Sequence, residues 1–380
     1  MEKDTPDGNA RYLIRHDNVA HHPFGGGSYI FKDKYVQHIN MHCPKPLIIL
    51  RIGAQPNSSP HMGTIANFTV AFFIARKLQQ EYSRNVLVSF DIVDTAPSDK
   101  LTINGLRYQR SLRFTREMDK YMGDFIEILD ALEKATDVKY RIRTQAEFLG
   151  GPHIPAVLNQ IIKDREVLGP SFSPETGKLA IRAACPHADC GLTDKGGAGN
   201  VYSYSEDGET TIEFQCPEHG PHKLKLSHSG DIQKLEFNTP LRNILRVKVF
   251  ARDPDVSWVL VPGGDYAGSY QEQLLWRYLS LPEEAPLIVY APLIIDWSGA
   301  KLSKSLYVTD GAYQYLTDQG QDYLVSYTAF KEQGKDLGVL FEEVREWVDD
   351  PYHLFRSYTL TYLDQLFKGE KPARGVIGKL

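Results

Sequence analysis

Two short stretches hold residues whose types and spacing can do phosphate chemistry. The first is Pro60-His61-Met62-Gly63-Thr64, reached through the turn-forming run Asn57-Ser58-Ser59. It follows a short apolar run and leads into a helix-length segment, so its N–H groups fall at a predicted helix N-terminus. Free donors and the positive end of the helix dipole suit a phosphate there. His61 adds a donor, and Gly63 lets a nucleotide approach the backbone. Read alone, the stretch is equally a Pro/Ser-rich loop with an N-capping hydroxyl. The second stretch is Gly299-Ala300-Lys301-Leu302-Ser303-Lys304-Ser305. Two lysines three apart can face one polyanion as mobile charges on transferring phosphates. Read alone, it has the composition of a solvated surface loop.

A third constellation points to metal. Cys185 and Cys190 form one close pair, Cys216 and His219 another, and Gly191 and Gly220 follow the pairs where tight turns are needed. Two such pairs fit a four-ligand structural zinc knuckle. His187 and His222 compete for the fourth position, and buried thiols without metal are the alternative. Two further acceptor sets complete the list. Gly263-Gly264-Asp265 follows an apolar run, so its glycines permit backbone contact with a ribose or base, and Asp265 can accept from hydroxyls or an amino group. Asp91 and Asp94 lie at the end of a predicted parallel strand, where open α/β sheets place ligands. One of them is expected to contact a ligand.

The elements that must position these residues follow from hydropathy. Residues 46–52 read as a buried strand, 63–80 as a helix apolar nearly all round, and 86–93 as a second strand. Strand, helix, strand at this spacing is a βαβ unit of a parallel sheet. Residues 107–137 read as helix. Around 170–230 the texture turns Cys-, Gly- and Thr-rich, as in a small insertion. Apolar strands return at 258–261 and 287–290, and the chain from Leu306 onward is mostly helical in pattern. The expected organisation is an N-terminal extension (1–45), the first half of a catalytic domain (46–170), a zinc-knuckle insertion (171–230), the second half with the lysine loop (231–310) and a helical tail (311–380).

Composition narrows the class. The 380 residues carry 43 Lys and Arg against 48 Asp and Glu, a formal charge of −5, which argues against broad non-specific nucleic-acid binding while leaving room for a local basic face. With 42% apolar residues the chain can bury a core without disulfide staples. The sequence has no run of about 18 apolar residues and its N-terminus lacks a secretory pattern, so a cytoplasmic protein without membrane partners is expected.

Taken together, His61-Met62-Gly63-Thr64 and Lys301-Leu302-Ser303-Lys304-Ser305, some 240 residues apart and in this order, resemble the HIGH and KMSKS signatures of class I aminoacyl-tRNA synthetases. Pro60–Phe68, Ser89–Asp94, the run Pro262–Tyr270 and Leu287–Leu293 resemble the class I lysyl-tRNA synthetase branch, and the resemblance spans roughly residues 46–306. It implies a Rossmann-like (HUP-type) parallel sheet with helices on both faces, an inserted zinc knuckle and a short C-terminal helical tail. It implies that an amino acid, with lysine or arginine favoured, is activated by ATP with Mg to an aminoacyl adenylate. His61, Lys301 and Lys304 would serve the phosphates. Pro60, Gly63, Thr64, Gly263, Gly264, Asp265, Ser303 and Ser305 would bind the nucleotide. Asp91, Asp94, Tyr266, Ser269 and Tyr270 would meet the substrate, with Cys185, Cys190, Cys216 and His219 on zinc.

The sequence departs from the family pattern in places. Thr64 replaces the second His, Tyr266 stands where a His is expected, and Leu302 replaces Met. The residues after the lysine loop are too few for the family's anticodon-binding region, so a role outside ordinary translation is expected. The aminoacyl group would pass to a small molecule, a carrier or a tRNA acceptor end. The alternatives are a consumer of charged tRNA, such as the fungal arginine-containing cyclodipeptide synthases, with Ser58, Ser59 or Ser269 as nucleophile, and a non-catalytic amino-acid or tRNA sensor.

Overall fold

The computed structural model describes residues 34–268, 285–303 and 313–370. At its centre is a parallel sheet of five strands: β1 (Leu47–Ala54), β2 (Asn85–Ile92), β5 (Tyr140–Arg143), β12 (Val256–Leu260) and β13 (Leu287–Ile288). Their order is β13-β12-β1-β2-β5, with every neighbouring pair parallel. The central position of β1 explains its apolar run, interrupted only by Arg51, because a strand covered on both faces has little polar side to show water.

Alternation along β1 sorts its side chains between two cores. Ile48, Leu50 and Ile52 point to one face, where α2 (Met62–Tyr82) packs. Ile49 points to the other, covered by α5 (Ile154–Lys163) and α6 (Thr239–Ala251). Helices therefore cover both faces of the sheet. α2 is buried on most sides, and Ser83 ends it with a left-handed backbone (φ 51°).

Other elements differ from the sequence expectation. The segment at 107–137 is not one helix: residues 97–111 form a hairpin, β3 (Pro97–Ile103) and β4 (Leu106–Ser111), and helix α3 begins only at Asp119 and runs to Thr136. The hairpin turns at Asn104-Gly105, both at positive φ, a pairing that favours a two-residue type I′ turn. β4 also pairs with β7 (Thr193–Asp194), so the hairpin is stitched to the cysteine module. That module contains an antiparallel meander, β8 (Val201–Tyr204), β9 (Thr210–Cys216) and β10 (Gly220–Lys225). It is closed at its base by the pair β6 (Ile181–Ala183) and β11 (Leu235–Phe237).

The C-terminal helices are not a tail. α7 (Tyr327–Glu332), α8 (Leu337–Asp349) and α9 (Leu360–Phe367) share one core with α2, around the fully buried Trp347. At the other end, α1 (Tyr35–His42) docks Tyr35 and Ile39 into the same core. No described helix is long and apolar enough to cross a membrane.

Candidate active site

The carboxyl end of β1 opens into a cleft of about 750 Å³. His61 is the N-cap residue of α2, and its ring nitrogen Nε2 lies 3.4 Å from the hydroxyl of Thr64. Gly63 leaves room for the ring: a Cβ there would meet the imidazole of His61 at 2.9 Å and displace it. Pro60, His61, Gly63 and Thr64 all line the cleft.

The lysine loop faces the same space. It is anchored by Leu302, which is buried in the α2 core and whose N–H donates to Ile294 at 2.8 Å. Asp296 shapes the turn before it, accepting from Ser298 N–H and Oγ and from Ala300 N–H. Ser303 N–H donates to the hydroxyl of Tyr313 at 3.1 Å. Lys301 thus reaches the cleft and pairs with Asp265, its ammonium 5.8 Å from the ring centre of Tyr266. The Gly263–Tyr266 turn is tied to the sheet by Gly264 N–H, which donates to Ala291 at 3.1 Å. Gly263, Asp265, Tyr266 and Ser303 line the cleft; Gly264 serves through its backbone. Lys304, Ser305, Ser269 and Tyr270 lie outside the described residues.

Asp91 and Asp94 are placed differently from the expectation. Neither lines the cleft. Asp91 is 1% exposed and surrounded by arginines. Arg143 donates to it twice, at 3.0 and 2.9 Å, Arg51 once at 3.2 Å, and Arg246 lies at 3.6 Å. Burial pushes its carboxyl up, but the guanidinium groups of Arg143, Arg51 and Arg246 outweigh that and hold it well below the usual carboxylate range. Asp91 is therefore the counter-ion that positions arginines. Asp94 is also buried, and its carboxyl is raised by burial, partly offset by Arg113.

Sequence reasoning missed three cleft residues, Arg51, Arg242 and Arg246. The available signal was a charge inside the apolar run of β1 and a pair of arginines at i, i+4 amid buried Leu241, Ile244 and Leu245. Ser59 lines the cleft but is engaged: it donates to Asp124 at 2.6 Å and accepts from Thr328 at 3.0 and 3.2 Å.

The cysteine module gathers Cys185, Cys190, Cys216 and His219 so that their ligand atoms all lie within 4.8 Å of one another. Cys190 and Cys216 Sγ are 3.6 Å apart, and His219 Nδ1 is 3.6 Å from Cys185 Sγ and 3.7 Å from Cys216 Sγ. Tetrahedral zinc with Zn–S and Zn–N bonds of about 2.3 and 2.0 Å separates its ligands by about 3.5–3.8 Å, so the donor set fits that ion. His187 stacks on His219, ring centres 3.9 Å apart, and His222 packs on Phe214 instead. Gly191 and Gly220 both have positive φ, as the turns require.

No family model matches the chain, and no curated protein matches it. Among solved structures it is similar to an arginyl-tRNA synthetase from Plasmodium falciparum, with 9% identity and a TM-score of 0.35 over 82% of this chain and 53% of that one. It is also similar to a glutamate tRNA ligase from Elizabethkingia meningosepticum in complex with its amino acid (13%, TM-score 0.33, 69% of this chain and 53% of that one). A third, described as an arginyl-tRNA synthetase from Campylobacter jejuni, shows 10% identity and a TM-score of 0.34 over 74% of this chain and 62% of that one. The chain thus spans 53–62% of the length of these proteins.

Proposed function

We propose that this chain carries the catalytic domain of a class I aminoacyl-tRNA-synthetase-like enzyme, which activates an amino acid with ATP to an aminoacyl adenylate and passes the aminoacyl group to an acceptor. The observation that carries the reading is the convergence of the α2 N-terminus, the Gly263–Tyr266 turn and Lys301–Ser303 on one cleft at the carboxyl end of β1.

In the proposed reaction a substrate carboxylate oxygen attacks the α-phosphorus of ATP. A C–O–P bond forms, the bond to the bridging oxygen breaks, and pyrophosphate leaves with its Mg. Such a step needs mainly positioning and charge stabilisation. His61 and the first N–H groups of α2 would donate to the phosphates, and Lys301 would neutralise charge growing on the leaving group. Asp265 would accept from the amino acid's ammonium or from a ribose hydroxyl. The Cys185, Cys190, Cys216 and His219 cluster would hold a structural zinc.

The test is amino-acid-dependent ATP–pyrophosphate exchange across the twenty amino acids, with and without tRNA. Exchange with an amino acid is expected, and Lys301→Ala should lower it by about 10² or more. Exchange with none of them, under either condition, would sink the reading and turn attention to pre-charged tRNA as the substrate.

A further inference from the structure

The cleft has a second end. Arg51 follows Ile49 by two along β1, so it points to the α6 face of the sheet, whereas the start of α2 and its residues His61 and Thr64 belong to the opposite face. Arg242 and Arg246, one turn apart on α6, line the cleft from that same side. The space for Arg51 is built in: a Cβ on Gly53 would lie 2.6 Å from its Nη2.

Among the described residues, charge at this end is out of balance, with Arg51, Arg143 and Arg246 sharing Asp91. The described residues lining the cleft include the cations Arg51, Lys100, Arg242, Arg246 and Lys301 and the carboxylates Glu117 and Asp265. Both carboxylates are taken, Glu117 by Lys120 and Asp265 by Lys301. At the arginine end Asp91 alone faces Arg51, Arg143 and Arg246 as an ion-pair partner among the described residues. Burial and the repulsion of Arg51 push the Arg246 guanidinium down. Arg246 is 3% exposed; its Nη2 donates to Gln145 at 3.2 Å, while its Nη1 has no hydrogen-bond partner among the described residues. A buried guanidinium with an idle donor and one shared counter-ion is unfavourable unless an anion completes it.

We propose that Arg51, Arg242 and Arg246 receive a side-chain carboxylate, so that the amino acid taken by this cleft is acidic, aspartate or glutamate. Its use as a substrate rests on the activation reading above; its binding does not. A lysine or arginine substrate would instead place another cation beside three, in a site poorly screened by water.

The experiment is equilibrium dialysis of the full chain, without ATP, against radiolabelled glutamate, aspartate, glutamine, asparagine, lysine and arginine, with pyrophosphate exchange run on the same preparations. Glutamate or aspartate should bind at least about tenfold more tightly than its own amide, and more tightly than lysine or arginine. Arg242→Gln should erase that preference. The acid-against-amide comparison in the unaltered protein keeps the test valid if the variant does not fold. Binding that favours lysine, arginine or an amide overturns the inference, and exchange with that amino acid would leave the activation reading standing. Acidic binding without exchange would do the reverse. If Arg242→Gln weakens ATP while no acidic amino acid binds to either protein, the wall serves the nucleotide and the inference fails.

Discussion

Replacing Asp91 by asparagine keeps the shape of the side chain and removes the one charge that the arginines share. Breaking a buried ion pair by deleting one partner costs about 3–5 kcal/mol, because the remaining charge is left uncompensated. Here the remaining charges are three, but they are not equally buried. The side chain of Arg246 is 3% exposed, while those of Arg51 and Arg143 keep 12% and 16%. Water therefore screens part of the loss, which places the expected destabilisation near the lower end, about 3 kcal/mol. Urea unfolding of both proteins at pH 7 reads this directly. The pH dependence gives a second check with a definite sign. The carboxyl of Asp91 is depressed in the folded state, so its contribution is complete above the unfolded value of about 4 and is lost as pH falls through the folded value. The gap between wild type and variant should begin to narrow below about pH 4, by about 1 kcal/mol at pH 3. A loss under about 1 kcal/mol at pH 7, or a gap that does not change between pH 7 and pH 3, would refute the account of Asp91 as the counter-ion of this wall.

Two further outcomes follow from the geometry. Purified protein should carry about one zinc per chain by metal analysis, and Cys190→Ser should lose it together with the order of the module; metal-free folded protein would remove the knuckle. Gly63→Ala should leave the melting temperature unchanged or slightly raised, since alanine favours helix by about 1 kcal/mol. It should nevertheless lower pyrophosphate exchange by about 10², because the new methyl displaces the His61 ring. Full activity in that variant would show that the position of His61 does not matter.

The βαβ core was legible because burial on both sides writes itself into sequence as continuous apolar runs, and β1, α2 and β2 lie within two residues of where those runs place them. The hairpin at 97–111 was not, since β3 is largely solvent-facing and lacks the alternation that marks a half-buried strand. Only Asn104-Gly105 signalled it. The stretches at 60–64 and 299–305 stood out by composition and spacing, and the structure brings the described residues Pro60, His61, Gly63, Thr64 and Lys301–Ser303 to one cleft. The arginine wall was not legible for a different reason. A lone charge in an apolar run has no local partner, and the pairing of Arg51 with Asp91, Arg143 and Arg246 joins residues from three strands and a helix. For the same reason Asp91 reads as a substrate contact in sequence: position at a strand end is visible there, occupancy by a counter-ion is not.

The pairing of Lys301 with Asp265 has a consequence that separates the roles of the two residues. In the free protein each satisfies the other, and the lysine loop is thereby held against the Gly263–Tyr266 turn. Lys301 is 43% exposed and Asp265 26%, so the pair is well screened and contributes little to stability. If Lys301 serves the triphosphate, ATP must draw it from Asp265, and Asp265 is then released to accept from the substrate. Asp265→Asn removes the competitor for Lys301, so the KM for ATP should fall or stay level. The same change removes a charged acceptor for the amino-acid ammonium, worth about 1.5–3 kcal/mol, so the KM for the amino acid should rise by about 10–100-fold. Opposite movements of the two constants are what distinguish an exchange of partners from a simple structural tie, which would raise both. An amino-acid KM equal to that of the wild type would remove Asp265 from the substrate and leave it only as the resting partner of Lys301.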